Sequence, residues 1–145
     1  MNKQCELIEK IYKDASMGRF STQKLLENLK GKDNKITGDV EEIFNGYSSY
    51  EEKAKEILLS RNITPVEEGN MTKMMSSMGI FKEVLTDNSD SAIADLLIQG
   101  LLMGEVEMKK RVDNASNDIN KDDLDLAKEF LKFQKKSHKT MEKYL

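Results

Sequence analysis

Apolar residues recur at intervals of three and four in four long stretches of this chain, and that spacing commits each stretch to an amphipathic helix. The first stretch carries Ile8, Ile11, Tyr12, Ala15, Leu25, Leu26 and Leu29, which predicts a helix over about 3–30. Gly31 follows where a helix C-cap favours left-handed backbone. The second stretch, about 38–60, carries Val40, Ile43, Phe44, Tyr47, Ala54, Ile57 and Leu58. The third, about 91–115, is the most apolar. Its Ile93, Leu96, Leu97, Leu101, Met103 and Met108 cover more than half a helical circumference, so it is expected to be the most buried. Gly100 and Gly104 share one of its faces and predict close approach by a neighbouring helix. The fourth, about 121–144, has a stripe of Leu124, Ala127, Leu131, Met141 and Leu145. Gln134 and His138 interrupt that stripe, four residues apart on one helical face.

Connection lengths then set the topology. The first two helices are joined by a short glycine-containing turn, and the last two by the polar run Asn114–Asn120. Each pair is therefore antiparallel. The link between the second and third helices is long. It holds the only proline, Pro65, and a further short helix over about 70–85 with Met71, Met74, Met75, Met78 and Phe81 near one face. Those methionines either fill the join between this helix and the bundle, offer an adaptable face to a partner, or form a soft ligand set for Cu(I). Helices of this length are about 35–42 Å long, and a long second link lets the chain travel the length of the bundle. The expectation is one all-α domain over 1–145, a four-helix bundle of two antiparallel pairs with one crossover.

Composition excludes several classes of function. Charged residues are 34% of the chain, aromatics 6%, and the net charge is −3 with both signs interspersed, so no basic aromatic patch suited to nucleic acid is present. A single cysteine, Cys5, rules out an internal disulfide and any Cys-x-x-Cys site. The start MNKQCELIEK lacks the apolar run of a signal peptide, and the apolar segment Ala92–Met103 is interrupted by Asp95, Gln99 and Gly100. These features predict a soluble cytoplasmic protein without a membrane partner. No nucleophile–base spacing, phosphate loop or zinc pattern stands out, so no catalytic residue is assigned.

Helical projection places Arg19 in the middle of the first stripe and Glu51 in the middle of the second, at matching heights from the turn near Asn34. An ion pair between them inside the interface is predicted, because a buried unpaired charge costs several kcal/mol.

The plan resembles the ferritin-like superfamily, and in particular its small bacterial bundle proteins with an added helix in the crossover. The stretches that carry the resemblance are Thr64-Pro-Val-Glu-Glu-Gly-Asn70, Phe81-Lys-Glu-Val-Leu-Thr-Asp87, Gly104-Glu-Val-Glu-Met108 and Phe133-Gln-Lys-Lys-Ser-His138. The resemblance implies a dinuclear iron or manganese centre, with one glutamate from each of two helices and a Glu-x-x-His pair from each of the others. Carried onto this chain, the requirement meets Glu51 with Ala54, Gln134 with Ser137, and an arginine, Arg19, at the corresponding height of the first helix. The third helix offers Gly104, with Glu105 one step off the face and Glu107 nearly a turn along. An arginine there repels metal ions that hard carboxylate sites attract. No metal or cofactor is therefore expected. Arg19, Glu51, Gln134 and His138 are read as an internal polar layer in place of the centre.

Two readings of function stay open. In the first, the chain is a non-catalytic module that acts by contact with a second copy of itself or with another protein. Its interaction face would be Met71, Met74, Met75, Met78 and Phe81. In the second, it is a ferritin-like iron or manganese protein, a metal store or oxidoreductase, with an atypical site of Glu51, Glu105, Glu107 and His138.

Overall fold

The computed structural model describes residues 5–65 and 87–145. These form four helices: α1 (Glu6–Leu29), α2 (Thr37–Ser60), α3 (Asp90–Asp113) and α4 (Lys121–Glu142). No strand occurs among the described residues, and the chain is an all-α four-helix bundle. The expected crossover helix over 70–85 and its methionine face lie outside the described residues.

Local chemistry explains the helix ends. Gly31 takes a φ of 78°, ending α1 with backbone that only glycine enters without strain. The Ser89 hydroxyl accepts from the Ala92 N–H at the start of α3. The Asn120 carboxamide accepts from the Asp122 and Asp123 N–H groups at the start of α4, where two acids also suit the helix dipole.

Contacts between helix ends fix the directions. At one end Asn34 donates to the Asn88 carbonyl and to Asp90, at 2.7 and 2.8 Å, tying the α1–α2 turn to the start of α3. The Tyr144 hydroxyl donates to Asp39, so α4 finishes at that same end. At the other end Arg61 grips Asp123 with two hydrogen bonds of 2.7 and 2.8 Å, joining the end of α2 to the start of α4. The order is therefore up, down, down, up. Helices α1 and α2 form one antiparallel pair and α3 and α4 the other.

The core runs through the middle of both pairs. Ile8, Ile11, Tyr12, Ala15 and Leu25 of α1 are buried, as are Val40, Ile43, Tyr47, Ala54 and Leu58 of α2. Three details differ from the sequence reading. Helix α3 is not the most enclosed, because it packs mainly on α4 and touches α1, leaving Leu102 at 40%, Val106 at 52% and Met103 at 68% exposure. The α4 stripe is centred on Leu126, Phe130 and Gln134, with Leu124 at its edge. Leu145 is exposed because α4 ends at Glu142 and the chain turns away.

Candidate functional site: the polar centre of the bundle

Glycines bring the four helices close at mid-height. A Cβ on Gly18 of α1 would enter the ring of Tyr47, and one on Gly46 of α2 would enter the ring of Phe133. A Cβ on Gly104 of α3 would lie 2.5 Å from the Gln134 Nε2. The close approach expected at Gly104 is therefore present, whereas Gly100 faces open space, with nothing within 4 Å of an added Cβ. Tyr47, Tyr50, Phe130 and Phe133 fill the α2–α4 side, and the Tyr47 and Phe133 rings meet edge-on at 5.1 Å. Such edge-on pairs add about 0.5–1.5 kcal/mol beyond their burial.

Polar side chains gather around this aromatic group in distinct sets. Arg19 Nε donates to both Glu51 carboxylate oxygens, at 2.8 and 3.0 Å, so the predicted ion pair forms. Its position is shallower than expected. The Arg19 side chain is 35% exposed and Glu51 17%, which puts the pair at the rim of the α1–α2 interface. The α1 face that enters the core is that of Ala15, Thr22 and Leu25, with Gly18 against Tyr47, and Arg19 lies to one side of it.

Between α1 and α3, Lys10 bridges Asp14 at 3.0 Å and also bonds Glu107. Burial opposes the Lys10 charge, but the hydrogen bond to Glu107 and the field of Asp14 outweigh it and raise its pKa. Burial raises the Asp14 pKa despite Lys10, and the Asp14 Oδ2 has no hydrogen-bond partner among the described residues. Tyr47 is pushed well up by burial, then by the charges of Asp14 and Glu105.

Between α3 and α4, His138 Nδ1 lies 3.2 Å from Glu105 and Nε2 lies 2.9 Å from Glu142. Gln134, one turn earlier, is 2% exposed, and its Oε1 is unpartnered among the described residues. The four residues expected to form one polar layer thus fall into separate groups. No hydrogen bond joins Arg19 or Glu51 to Gln134 or His138 among the described residues. The four named as atypical metal ligands are likewise dispersed. Glu51 is taken by Arg19, Glu107 by Lys10, and only Glu105 and His138 meet. No group of three or more His, Cys, Asp or Glu side chains is placed to share a metal ion among the described residues.

Sequence reasoning missed three members of this centre. Asp14 has the ordinary look of a helix-surface acid four residues from Lys10. Gly18 and Gly46 carry no hydropathy signal, although a glycine inside a helix that should favour alanine is a usable cue. A further buried acid, Asp123, is 1% exposed beneath Arg61, yet in sequence it has only the look of a first-turn helix acid.

The arrangement can hold helices in register and exclude water from an aromatic core. No protein-family model, curated protein or solved structure matches the chain.

Proposed function

We propose that the chain is a non-catalytic helical-bundle module that acts through protein contact, with self-association foremost. In this reading a polar centre stands where the ferritin-like bundles it resembles carry two metal ions. One observation supports it above the others: two of the three carboxylates available to such a centre are already paired with the chain's own cations. Glu51 is held by Arg19 and Glu107 by Lys10. Lys10 also sits beside Asp14, one of whose carboxylate oxygens is buried without a hydrogen-bond partner among the described residues. Hard metal ions are held by carboxylate charge, and each resident cation cancels it. The side chains among the described residues therefore do not fit a dinuclear iron or manganese site.

The up-down-down-up order is compatible with the one-crossover arrangement of that superfamily. The exposed Leu102, Met103 and Val106 on α3, together with the charged outer face of α4, provide surface for contact. No helix among the described residues is long and apolar enough to cross a membrane. A cytoplasmic location belongs to the same proposal.

Elemental analysis and a light-scattering mass on one purified sample test the reading together. The expected result is a substoichiometric metal content and a mass above that of one chain. Stoichiometric iron or manganese that survives a chelator would favour the alternative, a metal-storage or oxidoreductase protein.

A further inference from the structure

The flank of α4 that borders α2 is divided by charge along its length. Asp122, Asp125 and Glu129 lie in the first half and Lys132, Lys136 and Lys143 in the second, all exposed, while Lys121, Lys128, Lys135, Lys139 and Glu142 are exposed further round the helix. Asp122, Glu129, Lys136 and Lys143 follow one another at heptad spacing, so they form a single column on the helix. The helix dipole accounts only for charges in the first and last turns. In the middle, Asp125 and Glu129 are like charges four apart, as are Lys132 and Lys136, and such pairs destabilise an isolated helix. Among the described residues none of Asp122, Asp125, Glu129, Lys132 and Lys136 has an ion-pair partner, while Lys143 bridges Asp39 at 3.1 Å.

The acidic half also borders a groove. Ile57 of α2 and Leu126 of α4 are its apolar lining, and Glu56, Asp122, Asp125 and Glu129 are its carboxylates, around a shallow, open depression of about 390 Å³. Lys53 also lines it, one cation against four carboxylates. A groove of this kind takes aliphatic stems that end in positive charge, the shape and charge of lysine side chains on a helix.

We propose that α4 pairs antiparallel with α4 of a second copy of this chain, the basic half of each lying along the acidic groove of the other. This rests on the self-association reading and specifies its surface. An isologous pairing with the twofold axis between Lys132 and Phe133 sets Asp122 against the partner's Lys143 and Glu129 against the partner's Lys136. The same operation repeats both pairs, so four ion pairs form from two kinds of contact. A parallel pairing would set like charge against like. The pattern on one face is therefore self-complementary in one orientation only.

The test is a reciprocal charge reversal read by sedimentation equilibrium. One variant is Asp125→Lys with Glu129→Lys, the other Lys136→Glu with Lys139→Glu, and all four positions are exposed. Circular dichroism verifies that each variant remains helical. The wild type is expected to be a dimer whose dissociation constant rises by roughly tenfold or more between low and high salt. Each variant alone should be monomeric, and an equimolar mixture should restore a dimer of one of each. Dimers in both variants alone would overturn the α4 pairing while leaving self-association intact through another face. Dimerisation abolished by Met103→Lys and Val106→Lys but not by the reversals would overturn it in favour of α3. A wild type that stays monomeric would overturn it together with self-association, leaving contact with a different protein.

Discussion

The close packing of α1 on α2 can be measured with alanine at two glycines. At Gly100 an added Cβ meets nothing within 4 Å, so Gly100→Ala changes only the helix preference. That substitution should stabilise the protein by about 0.5–1 kcal/mol. At Gly18 the same preference applies, but the new Cβ falls 2.5 Å from the Tyr47 Cδ1 and closer still to its neighbours in the ring. Normal carbon contacts lie at about 3.5–4.0 Å, so the ring must retreat by roughly 1 Å. Tyr47 is 7% exposed and has Phe130 and Phe133 behind it, at 6.3 and 5.1 Å between ring centres. Retreat therefore displaces the aromatic group or parts the helices, and overpacking of this kind costs about 1–3 kcal/mol. Helix preference enters both variants equally and cancels in their difference. Urea unfolding should thus place Gly18→Ala about 1–3 kcal/mol below Gly100→Ala, with unchanged m-values. In a Tyr47→Leu background the gap should narrow, since the smaller side chain vacates the space. Equal stabilities for the two alanine variants would show that Tyr47 does not pack over Gly18, and the relative rotation of α1 and α2 would have to be revised with that contact.

Three further outcomes follow from the polar groups. Glu51→Ala should cost only about 1 kcal/mol in chemical denaturation, because Arg19 is 35% exposed and water takes over its solvation; a loss of several kcal/mol would mean that Arg19 is enclosed. Asp123→Ala should cost more, about 2–3 kcal/mol, since a carboxylate 1% exposed with two Arg61 hydrogen bonds leaves a buried gap and an unpaired guanidinium; a loss no greater than that of Glu51→Ala would contradict this ranking. The raised pKa of Asp14 makes a signed prediction, because the folded state binds its proton more tightly than the unfolded state does. Its contribution to stability is greatest below the unfolded value of 3.8 and falls as pH rises through the folded value, so Asp14→Asn should remove that part of the pH dependence in a denaturation series. An unchanged pH profile would show that Asp14 is solvated in the native protein.

The contrast between Arg19 and Asp123 shows which features of this chain are legible in its sequence. Four helices, their order and the partnership of Arg19 with Glu51 follow from spacing and loop length, because a charge near an apolar stripe demands an opposite charge at equal height. Depth does not follow. A projection on one helix treats its stripe as symmetric, whereas α1 meets α2 on one flank and α3 on another, and Arg19 lies at the rim rather than in the middle. Asp123 departs from expectation in the opposite direction. An acid in the first turn of α4 already has a local reason to exist, so nothing in its own sequence neighbourhood signals burial beneath Arg61 at the far end of α2.

Gln134 and His138 are visible in the sequence as a break in the α4 stripe, but their partners are not. A polar pair on an apolar face is equally consistent with ligands, a water site or contacts to other helices. The choice depends on what α3 presents at that height. It presents Gly104 to Gln134 and Glu105 to His138, so glycine makes room for one side chain and a carboxylate anchors the other. Complementarity across a helix pair, rather than any property of α4 alone, gives this interruption its packing partners. The charge division along the flank of α4 that borders α2 has the same character in reverse. Apart from Lys143 it has no ion-pair partner within the described residues, and in the proposed pairing its complement is the same stretch of a second copy read in the opposite direction.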